Sequence, residues 1–157
     1  MNQSDNTPTL DRLYACLVYL LPLLDGISFG AFFFKALHLD SVFFLLLGIY
    51  GSLPLQPFTG LIVFFVLLLA VVRRENIPHF IRFNTMQALL LDIVLMLCGL
   101  ILDVVRSGIH SSLFIETLYN TVFLGLVAAI GYSVVQSIRG KYAEIPAISD
   151  AVKMQVR

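Results

Sequence analysis

Apolar runs of about 20 residues, cut by short polar connections, fill most of this chain. A run of that length with few charges matches a bilayer-crossing helix, since about 20 residues at 1.5 Å rise cover a hydrocarbon core ~30 Å thick. A water-soluble fold does not accommodate them. A soluble domain carries about 25% charged residues, whereas Asp, Glu, Lys and Arg make up 13% of these 157 residues. Hydrophobic residues account for 59%, and the mean hydropathy is +0.91. Ten basic and ten acidic residues cancel, which excludes a basic nucleic-acid binder and an acidic tail protein. The class is integral membrane protein, with the lipid bilayer as its first partner.

Length allows four spans, or five with almost nothing left over, and no extramembranous catalytic domain. Residues 1–12 are polar, with Asp5 and Asp11 where a secretory signal places positive charge, and no Arg/Ser-rich transit segment is seen there. The first apolar run, residues 13–34, is therefore expected to stay in the membrane. Its twelve strongly apolar residues contribute about −4 to −7 kcal/mol, against about +2.5 to +3.5 kcal/mol for the central Asp25.

Residues 42–50 are apolar but too short to cross, and Pro54 and Pro57 break the chain after them. They predict a re-entrant or interfacial segment. The second span is residues 58–72, extended to 55–72 and stopped by Arg73 and Arg74. Asn76-Ile77-Pro78 reads as a helix start, because Pro is tolerated where the backbone N–H has no intrahelical partner. Residues 78–85 are expected to approach along the interface, so that the third span covers 83–105, its core being 86–105. The fourth covers 117–138, with its core from 118, and residues 140–157 form a tail outside the membrane. The fold predicted is an all-α membrane protein with four transmembrane helices, a short re-entrant or interfacial segment after the first, and a cytoplasmic C-terminal tail.

Basic residues orient it. Arg12, Arg73, Arg74, Arg82, Arg139, Lys141, Lys153 and Arg157 fall on one side, Lys35 and Arg106 on the other. The positive-inside rule puts both termini in the cytoplasm, or the stroma of a plastid.

Within the third span Thr85, Ala88, Asp92, Gly99, Asp103 and Arg106 fall within an arc of about 60° at 100° per residue. Asp92 either lines a wet cavity or is hydrogen-bonded inside the bundle; Asp103 reads as interfacial. Asp25 follows Pro22, whose ring removes a backbone hydrogen bond, and precedes Gly26. It either lines a pathway, with Arg82 as a possible partner, or satisfies a kink. The candidate polar pathway comprises Asp25, Arg82, Gln87 and Asp92.

Small residues recur every fourth position in the fourth span: Thr117, Thr121, Gly125, Ala129, Ser133 and Ser137. Gly26 and Gly30 add a second such pair. Rows of this kind let helix backbones approach closely in lipid, which makes Gly26, Gly30, Thr121, Gly125, Ala129 and Ser133 the helix-packing set. Cys16 and Cys98 read as small buried hydrophobes. His38, His79 and His110 have no metal-ligand spacing, so no metal, cofactor or catalytic constellation is expected. In the tail, Ile148, Ala151, Val152 and Val156 make one stripe at helical period after Pro146. Such a short helix needs a surface: the membrane interface, the bundle's own cytoplasmic face or a partner subunit.

The strings at residues 77–93 (IPHFIRFNTMQALLLDI), 21–26 (LPLLDG) and 140–156 (GKYAEIPAISDAVKMQV) resemble the twenty-kilodalton subunit family of the TIC translocon, the protein-import machinery of the chloroplast inner envelope. The resemblance runs over about residues 12–156 and is weakest over 35–57. It implies four helices, both termini stromal or cytoplasmic, and a part in moving proteins across a membrane as a channel-forming or channel-gating component. It also implies other translocon subunits, a translocating precursor protein and a second copy in a homo-oligomer as candidate partners. Plant members carry a long transit peptide, so this chain is most similar to the cyanobacterial or plastid-encoded type, in a cyanobacterial membrane or the plastid inner envelope. A small ion or solute channel using Asp25 and Asp92, or a structural scaffold subunit, are the alternatives; an enzyme is the weakest reading.

Overall fold

A computed structural model describes residues 7–53, 58–109, 111–146 and 148–156. Among them six helices follow one another: α1 Thr9–Ala36, α2 Asp40–Gly51, α3 Thr59–Val72, α4 His79–Gly108, α5 Ser112–Ile138 and α6 Ile148–Gln155. Only α1, α4 and α5 are long and apolar enough to cross a membrane individually. Their 28, 30 and 27 residues correspond to about 40 to 45 Å of helix.

Pro22 leaves its mark on α1. Without an N–H at residue 22, the Val18 carbonyl accepts instead from Leu21 N at 3.4 Å, while Tyr19 N donates to Cys16 O at 3.2 Å. The helix is thus loosened over Val18–Tyr19, and it tightens again into a 3₁₀ turn over Ile27–Gly30. The two glycines bounding that turn lie against α5. A Cβ on Gly26 would collide with Leu126 Cδ2, and one on Gly30 would meet Phe123 at 2.8 Å. Around them Phe29, Leu91, Leu95, Phe123, Leu126 and Ile130 form the main apolar core between α1, α4 and α5.

α4 starts directly after Pro78 and runs unbroken to Gly108. Residues 79–85, expected along the interface, are helical and form the first turns of α4. Tyr142 of the tail stacks edge-on against Phe83 at 4.9 Å and Phe80 at 5.3 Å. Beneath it Leu21, Val72, Phe83, Met86, Leu89, Val152 and Val156 form a second core. The tail helix α6 thus finds its surface on its own chain.

α2 and α3 are short apolar helices, each too short to cross alone. A left-handed turn at His38 (φ 56°) reverses the chain between α1 and α2. The last turn of α2 carries Tyr50 and the first turn of α3 carries Gly60, and both meet α1 at the same residue, Asp25. Pro54, Pro57 and the proposed 55–57 extension lie outside the described residues, as do Asp5, His110 and Arg157.

α5 closes with a Schellman turn: Gly140 has φ 69°, its N–H bonds Ser137 O at 3.0 Å, and Lys141 N–H bonds Gln136 O at 2.9 Å. Glycine takes this φ without strain, and a Cβ there would lie 3.1 Å from the Arg12 guanidinium. Arg12 in turn donates to Ile138 O at 3.3 Å, a cation at the negative end of the α5 dipole. The start of α1 and the end of α5 are thereby adjacent.

Candidate functional site

Two polar clusters are buried along α4. The first begins at Asn84 and Gln87, neither with measurable exposure. Tyr19 of α1 donates to Asn84 Oδ1 at 3.0 Å and accepts from Gln87 Nε2 at 3.1 Å. From α5, Ser137 donates to Asn84 Oδ1 at 2.9 Å, and Ser133 accepts from Gln87 Nε2 at 3.2 Å. Ser149 of α6 lies 3.2 Å from Gln87 Oε1 and accepts from Ile145 N–H at 2.6 Å. Asn84 spends its amide on Phe80 O at 2.8 Å. Each side chain has a partner, so four helices are tied together by one satisfied network, the condition under which a buried polar cluster rigidifies a fold.

Outside that network the tail is held by His79, whose ring nitrogens lie 3.0 Å from Tyr142 Oη and 3.4 Å from Val156 O. Burial pushes the Tyr142 phenol above its ordinary value. Lys153 donates to Glu144 at 2.8 Å, and that hydrogen bond holds the Glu144 carboxyl below its ordinary value.

The second cluster is different. Asp25, halfway along α1, accepts from the Tyr50 hydroxyl. Asp92, buried on α4, lines the same cavity as Asp25. Gly60 makes room, since a Cβ there would lie 2.8 Å from Asp25 Oδ2. Asp25 also borders two spaces: a cavity of about 350 Å³ that Asp92, Tyr50, Phe64 and Gly99 also line, and an apolar groove of about 570 Å³ between α1 and α3.

Of the four candidate pathway residues, Asp25 and Asp92 come together, while Gln87 belongs to the first cluster. Arg82 lies apart from Asp25; its Nε donates to Val72 O at 2.9 Å, holding the end of α3. Asp103 and Arg106 are exposed near the end of α4. The small-residue row of α5 divides. Ser133 is buried and Ala129 half-buried, whereas Thr121 and Gly125 are exposed and Gly125 has no neighbour that a Cβ would touch. Tyr50 and Gly60 escaped the sequence reading. Their only signal is position, flanking the proline-broken segment of an apolar run. Tyr19, Asn84 and Ser149 escaped too, because their partners are distant in sequence. Among the described residues no three His, Cys, Asp or Glu side chains gather as a metal site.

Three membrane-length helices, a pair of short apolar helices meeting beside a carboxyl pair, and a tail bound to the bundle define an all-helical integral membrane protein. Residues 5–152 match the family described as "Chloroplast import apparatus Tic20-like". The chain belongs to the Tic20 family. It is similar to a Tic20 family protein of the cyanobacterium Synechocystis sp., 45% identical over 152 residues that cover 94% of this chain and 93% of that one. It is 36% identical to Tic20 family protein Ycf60 of Gracilaria tenuistipitata var. liui, covering 94% of this chain and 76% of the relative. Protein TIC 20-v, chloroplastic, of Arabidopsis thaliana is 30% identical, covering 97% of this chain and 74% of its own length.

Proposed function

We propose that this chain is a membrane-embedded subunit of a protein translocation machinery, with the carboxyl pair Asp25 and Asp92 on the path it provides. The observation that carries the reading is the family match over residues 5–152, which takes in α1 to α5 and most of α6. The site supports it in a specific way. Ionisable side chains inside a membrane are costly and face a bundle interior or a wet cavity, and this pair borders one where two short helices meet.

In this reading α2 and α3 together make a fourth, discontinuous crossing. Their 12 and 14 residues give about 18 and 21 Å of helix, and their near ends meet at the midpoint of α1. Broken helices are tolerated at membrane depth where the freed backbone is buried in protein or lines a cavity. Both termini then lie on the cytoplasmic or stromal side. Tags at residues 1 and 157 report one side and a tag near Ser112 the other; terminal tags on opposite sides remove the four-crossing arrangement.

Transport is tested by placing single cysteines at Leu61 and Met96, which line the same cavity as the carboxyl pair, in a Cys16→Ser, Cys98→Ser background. An arrested precursor protein carrying a cross-linker should couple to both, and to neither when the cysteine is moved to exposed Leu113. A small ion or solute channel is the second reading, favoured by the carboxyl pair itself. It predicts conductance in reconstituted vesicles without precursor cross-linking.

A further inference from the structure

We propose that the tail helix α6 latches α3 as a gate on the carboxyl cavity, so that release of the tail swings the Gly60 end of α3 away from Asp25. The inference rests on the reading of that cavity as the path and supplies its regulation.

α3 is attached unevenly. No residue of Thr59–Leu67 is buried, and in the following Leu68–Val72 only Val72 is. The Val72 carbonyl accepts from Arg82 Nε at 2.9 Å, and α4 meets α3 mainly through this last turn. At the other end Gly60 lies so close to Asp25 that a Cβ would be 2.8 Å from Oδ2. A rod anchored at one end and resting at the other is a lever. Its anchored end is also where the helix geometry gives way, since Leu68–Val72 form a π turn closed by Arg73 N–H to Leu68 O at 3.1 Å. Such turns are rare insertions in α-helices and among the few places where a helix bends sharply. The 9 and 5 residues of the two parts span about 21 Å, so a tilt of about 15° at the π turn carries the first residue of α3 about 5 Å.

The tail holds this lever down. Val152 and Val156 share one core with Val72, and Phe64, Leu67 and Leu68 of α3 pack against that core. Phe64 also lines the carboxyl cavity. One side chain thus rests on the core that the tail completes and walls the site. α6 is eight residues long, too short to persist as a helix in water by itself, so its folding and its docking are one event. Ser149 to Gln87 Oε1 at 3.2 Å and His79 to the Val156 carbonyl at 3.4 Å tie it to α4. A partner that takes the stripe Ile148, Val152 and Val156 onto its own surface binds the released tail, and shifts the gate by that preference.

The experiment uses the full chain in mild detergent, with C16S/C98S as background, and measures distances between pairs of nitroxide spin labels by pulsed electron paramagnetic resonance. Labels replace exposed residues: Phe58 just before α3 and Leu69 in its π turn, each paired with Leu124 on α5. V152D/V156D puts two carboxylates into the second core, and a Met154–Leu124 pair that loses its fixed distance confirms that the tail has left. In that variant the Phe58–Leu124 distance should broaden and shift by about 5 Å, the displacement expected of the lever. Leu69–Leu124, and a Leu13–Leu124 pair between α1 and α5, should keep the parent's distances. A Phe58 end that stays fixed while the tail is released overturns the latch, and equal shifts at Phe58 and Leu69 overturn the hinge. Should the Leu13–Leu124 distance change as well, the bundle has loosened, and the milder V152A/V156A takes its place with the same two outcomes. No precursor is present, so a fixed Phe58 end with precursor cross-linking intact removes the gate alone, and a moving end without cross-linking removes the transport reading alone.

Discussion

The two polar clusters on α4 begin about 8 Å of helix rise apart, at Gln87 and Asp92, yet they are built on opposite terms. Around Gln87 every polar side chain is neutral and each has a partner from another element or its own backbone. Around Asp92 two acids share one place, and Asp25 borders both a cavity and a groove. A closed neutral network holds helices in register and has no capacity left for a ligand. A carboxyl pair beside empty space retains that capacity, at a cost in stability that the neutral network and its two cores offset.

That contrast makes the tail the most damaging place to cut. Removing residues 145–157 withdraws Ile148, Val152 and Val156 from the second core, worth about 4.5 to 9 kcal/mol at about 1.5 to 3 kcal/mol per buried side chain. The three long helices should still insert, while the unfolding midpoint in detergent falls steeply and recovery of the native complex drops. An unchanged midpoint would mean that α6 is docked without consequence, and unchanged partner yield that it recruits nothing.

Asn84→Ala tests the network alone. It strands the Tyr19 and Ser137 hydroxyls, which have no other acceptor within the network, at about 2 to 4 kcal/mol for two unsatisfied buried groups. Denaturant titration in detergent measures it, and a loss under about 0.5 kcal/mol would mean that water or rotation replaces both bonds.

Asp25→Asn and Asp92→Asn should show the reverse pattern. Each keeps shape and hydrogen bonding while removing a like charge, so stability should change by less than about 1 kcal/mol, whereas transport or conductance changes. If both variants assemble and transport like the parent, the acids are structural and the contrast between the clusters disappears. Smallest of all, Lys153→Ala removes an exposed ion pair with Glu144, and surface pairs contribute little. Its midpoint should match the parent's within error; a clear fall would reveal a tail held by charge rather than by Ser149, Val152 and Val156.

Much of the helix content and the reasons for it are local. The lengths of the apolar runs specify α1, α4 and α5, because a run of that length has no other way to satisfy its backbone in lipid. Pro22, Pro78 and Gly140 act through the φ angle and the missing or freed N–H, and each shapes its own turn. The tail's stripe at Ile148, Val152 and Val156 is legible for the same reason, since period alone places those residues on one face. None of these depends on what lies across the bundle.

Partnership does depend on it, and there the sequence is silent. Asp25 meets Tyr50 and Asp92, while Arg82 turns to the end of α3; charge alone suggests the opposite pairing, and packing decides. Thr121 and Ser133 belong to one small-residue row, yet Ser133 faces Gln87 and Thr121 faces outward. A row every fourth residue drifts about 40° per step, so its two ends cannot face one neighbour. Composition and periodicity determined that this chain is a helical membrane protein and where its long helices run. Which polar groups close on one another, and which are left beside a cavity, was decided only when α1, α4, α5 and α6 came together, because those contacts join residues from 46 to 68 positions apart.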